Sequence, residues 1–328
     1  MESSTNPEKP SFFRRLRNLL GTAPAPATSD ARFSADQLIL KTNAFSNFND
    51  FDDHYRSSAE LYREQERYQL GLINGADAFT SHGYCFPCGR EVDFQIDYLY
   101  SGTDTVEGKR IPNWRERVIC PYCNLNNRVR ASVQFLEETL GCQPQSDIYI
   151  SEQTTPLYQY LKAKHPNLIG SEYLGDRVGF GEVEARTGLR NESSTRLSFA
   201  DGSFDFVLSF DVFEHIPEYS RGLLECYRVL KPGGRLIFTV PFRMDDEQNL
   251  IRATCDPEGK VRHLMEPEYH GDPVNDAGCL CFYHFGWQLL DELRNCGFAS
   301  AAAHVYWSNV LGYLGQNQVL FCAAKPGD

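Results

Sequence analysis

The stretch Asp201–Phe242, DGSFDFVLSFDVFEHIPEYSRGLLECYRVLKPGGRLIFTVPF, decides the fold. FDFVLS (Phe204–Ser209) is a short apolar run entered from an Asp-Gly turn, the pattern of a buried strand. Leu223, Leu224, Tyr227 and Leu230 fall on one face of the helix expected next. Lys231-Pro232-Gly233-Gly234 ends that helix, because Pro232 cannot continue it and the glycines admit positive φ. RLIFTVPF then supplies a second apolar strand. Strand, helix and strand in this order are the building block of a parallel sheet.

Working outward, DIYISE (Asp147–Glu152) reads as an earlier strand, followed by a helix over Pro156–Lys164 with proline in its first turn. NLIGSEYL (Asn167–Leu174) reads as the next strand, with Glu172 near its C-terminal end. Downstream, FGWQLLDELRNCGF predicts a helix closed by Gly297. AAAHVYW and QVLFCAAK predict two final strands joined by NVLGYLGQN. The fold class expected is α/β with a doubly wound sheet, in which a ligand lies across the C-terminal ends of the strands.

DGSFDFVLSFDVFEHIP followed by YRVLKPGGRLIFTVP resembles the later motifs of class I S-adenosylmethionine-dependent methyltransferases of the type 11 kind, and the resemblance extends over about residues 145–326. It implies a Rossmann-like, mostly parallel seven-stranded sheet whose last strand is antiparallel, and S-adenosyl-L-methionine as cofactor. On that resemblance Glu172 takes the ribose hydroxyls, and Glu192 with Ser193 lie on the adenine side. Phe210 and Asp211 lie where cofactor and substrate meet. The chain departs from the pattern in its first loop, where Glu152-Gln153-Thr154-Thr155-Pro156 contains no glycine. Two readings stand. Either Glu152, Gln153 and the hydroxyls hold the methionine end, which has no phosphate needing a bare backbone, or the site is degenerate and the fold serves as a scaffold.

Upstream, Cys85-Phe-Pro-Cys88-Gly89 and Cys120-Pro-Tyr-Cys123-Asn124 form two C-x-x-C pairs with thirty-one residues between them. Zinc takes four thiolates at tetrahedral angles, and each such turn presents two. Gly89 and Asn124 both tolerate the left-handed backbone that turns amides toward the sulfurs. The strand-like pieces DFQIDYLY and RERVIC lie between the pairs, and a helix begins near Asn126. Knuckle, hairpin and helix resemble a small treble-clef or zinc-ribbon module. A closed four-thiolate site has no open position, so structural zinc is expected, against a redox dithiol pair or plain buried cysteines.

Methyl transfer to most oxygen acceptors needs a base. His215 beside Glu214, in the loop after the strand ending at Ser209, suits that work; organising the loop is the plainer role for the same pair. Asp211-x-x-Glu214-His215 also resembles methyltransferases that bind a divalent metal through an acid, Glu and His here. A long insert over residues 243–283 contains HLMEPEYHGDPVNDAG (His263–Gly278) and reads as a substrate lid. His263 and His270 are its candidate catalytic residues. Glu268, Tyr269 and Asp272 are candidate contacts, with His284 facing the same pocket.

The remaining numbers set bounds. A chain of 328 residues divides into an N-terminal segment and linker (1–32), a helical connecting region (33–80), the cysteine module (81–140) and the catalytic domain (145–328). SFFRRLRNLL (Ser11–Leu20) has the amphipathic pattern of a short helix for peripheral membrane or protein docking, or for packing on its own chain. No apolar run approaches the ~18 residues needed to span a bilayer. Eleven cysteines without a secretory leader point to a cytoplasmic protein with metal-bound and free thiols. A net charge of −12 makes nucleic acid an improbable partner and favours a small-molecule or glycan-type acceptor, methylated on oxygen or nitrogen. An RNA or protein methyltransferase would instead use arginines such as Arg110, Arg115, Arg117, Arg128 and Arg130 for docking. Nothing in the sequence sets the oligomeric state.

Overall fold

Along each central strand, side chains alternate between two hydrophobic layers. Tyr149, Val207, Leu236, Phe238, Phe321 and Ala323 enter one layer. Ile148, Ile150, Phe206, Leu208, Ile237 and Leu320 enter the other. A sheet buried on both faces in this way must be covered by helices on both. In chain order the elements are β1 (Thr42–Phe45), α1 (Phe48–Ser57), α2 (Ala59–Leu72), β2 (Ala78–Cys85), β3 (Arg90–Asp97), α3 (Trp114–Arg117), β4 (Val118–Ile119), α4 (Asn127–Gln134), β5 (Ile148–Ile150), α5 (Pro156–Lys164), β6 (Ile169–Gly170), β7 (Phe204–Phe210), α6 (Tyr219–Val229), β8 (Leu230–Thr239), α7 (Gln288–Asn295), β9 (Ser300–Ser308) and β10 (Tyr313–Ala324). The first layer takes residues of α1, α6 and α7, including Phe51, Leu223 and Leu290. The second takes α4 and α5, including Val133 and Leu161. This computed structural model describes residues 32–103, 105–271 and 278–327, so the 11–20 segment and Asp272 lie outside the described residues. Ala35–Asp328 is one unit that contains every element named here.

The sheet order is β1-β9-β10-β8-β7-β5-β6. The β8/β7, β7/β5 and β5/β6 pairs are parallel, while β10/β8, β9/β10 and β1/β9 are antiparallel. The expected seven strands are present, but the sheet is evenly mixed rather than mostly parallel. The cause is the seventh strand. It is β1, from the N-terminal connecting region, and it pairs with the outer edge of β9. The segment after β6 contributes only an isolated parallel bridge, Glu172 with Asn191. Strand β5 connects through α5 to β6 on one side and pairs with β7 on the other, which makes the β5/β7 boundary the topological switch point.

Several local expectations shift. Helix α6 stops at Val229 and buries Tyr219, Gly222, Leu223, Cys226 and Val229. Leu230 already belongs to β8, and Leu224 is 50% exposed. Each fully buried aliphatic side chain on this face is worth about 2 kcal/mol of transfer free energy. The helical connecting region holds two helices broken at Ser58. RERVIC is one helical turn plus the two-residue β4, because Asn113 caps that turn by accepting from the Glu116 amide. The final loop is shorter than NVLGYLGQN, since β10 already begins at Tyr313. Gly297 does close α7, at φ +105°.

Candidate active site at the C-terminal edge of the parallel strands

A cavity of about 1920 Å³ opens beyond the C-terminal ends of β5 and β7, walled by Glu152, Glu172, Phe210, Asp211, His215 and His270 among others. Its floor begins at the first loop. Thr155 caps α5 by accepting from the Tyr158 amide. Glu172 accepts from the backbone amides of Gln153 (2.7 Å) and Thr154 (2.9 Å) and from the Thr154 hydroxyl (2.8 Å). The loop is therefore closed by a carboxylate and not by a glycine turn. The close approach falls instead to Gly170 on the neighbouring strand, where a Cβ would sit 2.6 Å from the Glu152 carbonyl and 2.5 Å from the Tyr158 ring. One carboxylate oxygen of Glu152, Oε1, is buried and has no hydrogen-bond partner. Burial pushes its pKa up to about 7, against the opposing Thr155 hydroxyl and Arg128.

The other residues anticipated for the cofactor divide. Ser193 and Phe210 line the cavity. The Gln153 side chain is spent on the next loop, accepting from the Arg190 amide (2.9 Å) and donating to the Gly188 carbonyl (3.2 Å). Glu192 is buried and holds Arg190 (2.8 Å), the Ser198 amide (2.9 Å) and the Ser198 hydroxyl (2.6 Å). Asp211 leaves β7 at φ +54°. Its carboxylate accepts from both terminal nitrogens of Arg115 (2.7 and 2.6 Å), from the Thr239 hydroxyl (2.9 Å), and meets Arg128 at 3.2 Å. Burial opposes its charge, but the two guanidinium groups outweigh it and hold Asp211 well below the usual carboxylate range.

Arg115 and Arg128 thus reach the sheet from the cysteine module, and both line the cavity. Glu116 binds Arg128 Nε (2.8 Å) and Asn126 Nδ2 (2.6 Å), while Asn126 caps α4. Spacing gave no signal of this network, because its partners lie up to 96 residues apart. Arg117 pairs with Asp97, and Arg110 lies over the Tyr98 ring. Arg130, one of the candidate docking arginines, is fully buried over Phe94, 3.9 Å from the ring centroid. It donates to the carbonyls of Leu311 (2.6 Å), Gly312 (2.9 Å) and Val118 (3.3 Å). A guanidinium is long and planar enough to serve three carbonyls and stack on a ring at once.

Within the module, Gly89 and Asn124 adopt the anticipated left-handed conformation, at φ +62° and +57°. The Tyr122 amide points at the Cys120 sulfur (3.4 Å). The sulfurs of Cys85 and Cys123 lie 3.8 Å apart and those of Cys88 and Cys120 3.7 Å, and all four fall within 4.8 Å of one another. Four sulfurs about 2.3 Å from one tetrahedral ion would be separated by about 3.8 Å.

Opposite the first loop, the 243–283 insert forms three short antiparallel ladders: Leu250–Ile251 with Tyr283–His284, Ala253–Cys255 with Val261–His263, and Tyr269–His270 with Cys279–Leu280. The last brings His270 Nδ1 to 3.2 Å from His215 Nε2. Glu214 lies beneath them, fully buried, and burial raises its pKa. His270 is pushed up to about 9, first by Glu214 and then, against burial, by Glu268. His284 joins the group through Glu268 (3.2 Å). His263 is not brought there; it sits on an exposed strand of the middle ladder. The cavity has His215, His270 and Glu268 on one side and the first loop, with Glu152 and Glu172, on the other.

Residues 170–238 match the family model described as methyltransferase domain. Over those residues this chain is similar to that family. It is 41% identical over 68 residues to an arsenite methyltransferase of Aquipseudomonas alcaligenes, covering 21% of this chain and 19% of that protein. It is 35% identical over 89 residues to a sarcosine/dimethylglycine N-methyltransferase of Halorhodospira halochloris, covering 24% and 29%. This chain spans less than a third of the length of these two curated relatives. A solved S-adenosylmethionine-dependent methyltransferase of Mesorhizobium loti aligns with 59% of this chain and 98% of its own, at 15% identity and a TM-score of 0.37. The family match starts at Gly170 in β6 and ends at Phe238 in β8, so Glu172, Phe210, Asp211 and His215 fall on matched residues, while β5 and the first loop precede them.

Proposed function

We propose that this chain transfers a methyl group from S-adenosyl-L-methionine to a small-molecule or glycan-type acceptor admitted beneath the lid. The observation that carries the reading is the buried, unpartnered Glu152 Oε1 at the mouth of the first loop. A carboxylate oxygen in that position is costly unless a donor meets it, and the ammonium of a sulfonium amino acid is such a donor. Glu172, at the end of β6, is the acid that ribose hydroxyls would meet, and it already fixes the loop beneath them. Ser193 supplies a polar wall on the adenine side, and Phe210 an apolar one where cofactor and acceptor meet. When bound, the cofactor supplies the methyl group. The chain's own part is to orient the acceptor and assist the loss of its proton, with His215 and His270 at the opposite wall.

The cysteine set is proposed to hold structural zinc, on the sulfur separations and the left-handed turns at Gly89 and Asn124. Its role is to fix α3 and α4, which deliver Arg115 and Arg128 to Asp211.

Calorimetric titration with S-adenosyl-L-methionine and its demethylated product tests the first proposal. Micromolar binding is expected. Glu152→Gln should weaken it by about 10- to 100-fold, the loss of one charge-assisted hydrogen bond of roughly 1.5–3 kcal/mol. A folded wild-type protein that binds neither compound would overturn the proposal.

A further inference from the structure

The geometry points to a divalent-cation site formed by Glu214, His215 and His270, open to the cavity. Glu214 Oε1 lies 3.6 Å from His215 Nε2 and 3.7 Å from His270 Nδ1, and the two nitrogens lie 3.2 Å apart. An ion with bonds of about 2.1 Å holds neighbouring ligand atoms about 3.0 Å apart at octahedral angles and about 3.4 Å apart at tetrahedral ones. The separation of the two nitrogens falls between these values, and the two carboxylate separations lie slightly beyond the tetrahedral one, so a small inward shift of Glu214 would complete one face of a coordination polyhedron.

The groups behind the ligands agree. His215 Nδ1 lies 2.9 Å from the Leu280 carbonyl, which places its proton there and leaves Nε2 as a lone pair. His270 Nε2 lies 2.9 Å from Glu268 Oε1, which does the same for Nδ1. Metal-bound imidazoles are oriented in this manner, by a carbonyl or carboxylate on the far nitrogen. Glu268 is in turn held by Arg252 (3.1 Å) and His284 (3.2 Å). Two lone pairs then face each other across 3.2 Å with a carboxylate beside them. That carboxylate is fully buried, and neither of its oxygens has a hydrogen-bond partner. A cation satisfies all three groups at once; an added proton, on Glu214 or on one of the imidazoles, satisfies them only in part.

The ligand set differs from the one the Asp211-x-x-Glu214-His215 spacing implies. Asp211 is taken by Arg115 and Arg128, and the third ligand comes from the lid. Two imidazoles and one carboxylate suit Mn²⁺, Fe²⁺, Co²⁺ or Zn²⁺ better than Ca²⁺ or Mg²⁺, which prefer oxygen shells. His215 and His270 line the cavity, so the ion's remaining positions face it.

The test is a Mn²⁺ titration of the full chain, followed by electron paramagnetic resonance and calorimetry, with zinc content and S-adenosyl-L-methionine binding measured on the same samples. The expected result is one Mn²⁺ per chain with a dissociation constant in the micromolar range and enhanced relaxation of water protons by the bound ion. His270→Ala and His215→Ala should each weaken it at least about 30-fold, and Glu268→Gln about 10-fold through loss of orientation, at the low end of the 10–100-fold range for such partners. Zinc content should stay unchanged in all three. A wild-type protein that binds S-adenosyl-L-methionine yet takes up neither Mn²⁺ nor Co²⁺ below millimolar concentration overturns the site and leaves a protonated His270 between two carboxylates. So does a His270→Ala variant that binds Mn²⁺ as tightly as wild type. Cation binding without cofactor binding would leave this site standing and sink the methyl-transfer proposal instead.

Discussion

Among the described residues, the cysteine cluster and the Glu214–His215–His270 cluster both gather metal-ligating side chains, and their surroundings differ in kind. The cysteine set is made of four sulfurs from two turns, with Cys85 and Cys120 fully buried among Phe94, Val118 and Trp114. The lid set has two imidazoles on the cavity wall above one buried carboxylate. The first has its ligand count filled by protein and faces protein, so an ion there can only hold the backbone in place. The second has three ligands and an open side, the arrangement that leaves room for chemistry. The difference teaches that donor identity alone does not separate scaffold from reaction centre; what lies on the far side of the donors does.

The largest expected effect would come from breaking the closed set. Cys120→Ser should remove zinc, measured by inductively coupled plasma mass spectrometry, and cost on the order of 5 kcal/mol or more of stability in urea unfolding. Retained stoichiometric zinc would refute the four-sulfur site. Next is the weld between that module and the sheet. Arg130→Met leaves the carbonyls of Leu311, Gly312 and Val118 without their donor, and a loss of about 3 kcal/mol or more is expected. A variant as stable as wild type would show that the module rides on the sheet without supporting it.

Acid blurs the comparison, because it protonates the donors of both sets. A third group, remote in sequence from both, must be separated out. His304 on β9 is pushed down to about 4 by burial and by Arg235. Its folded pKa lies below the ordinary value, so its contribution is complete above about pH 6.5 and is lost as pH falls toward about 4. That contribution is on the order of 3 kcal/mol. His304→Gln should flatten the fall in stability between those limits in urea titrations, and an unchanged slope would assign the loss to the clusters. The smallest effect is expected from His263→Ala. This exposed residue should alter stability by no more than about 0.5 kcal/mol and leave Mn²⁺ affinity unchanged. A loss of affinity would extend the lid site beyond its three ligands.

What could be read from the sequence follows the range of the interactions. The β7–α6–β8 unit was legible because each of its signals, apolar alternation and the Pro-Gly-Gly break, acts within a few residues. The helix over Pro156–Lys164 matched to the residue for the same reason: a cap and a proline define its start. The cysteine turns were legible because Gly89 and Asn124 state their backbone geometry by type. Leu224 was misplaced because a helical face is wider than the stripe that packs, and this leucine lies at its margin. Strand β1 was invisible, since TNAF has no pattern of its own and is a strand only because β9 offers an unpaired edge. Of the site, Glu172 and the Glu214–His215 pair could be picked out from their places after strands. The Arg115–Asp211 pair, and Gly170 doing the work expected of a first-loop glycine, needed the tertiary structure.

That short β1 has a consequence for how the molecule behaves in company. An uncovered strand edge is a template on which another chain can add, and long flat ones seed association. Here the sheet terminates in four residues on one side and two on the other, the second flanked by the Glu172–Asn191 bridge. Both flanks are too short to recruit a neighbour. A chain clipped after Phe45 would bare the nine residues of β9, Ser300–Ser308, and with them a ladder of unpaired amides and carbonyls. Proteolysis near the start of this protein would therefore convert a self-contained sheet into an adhesive one.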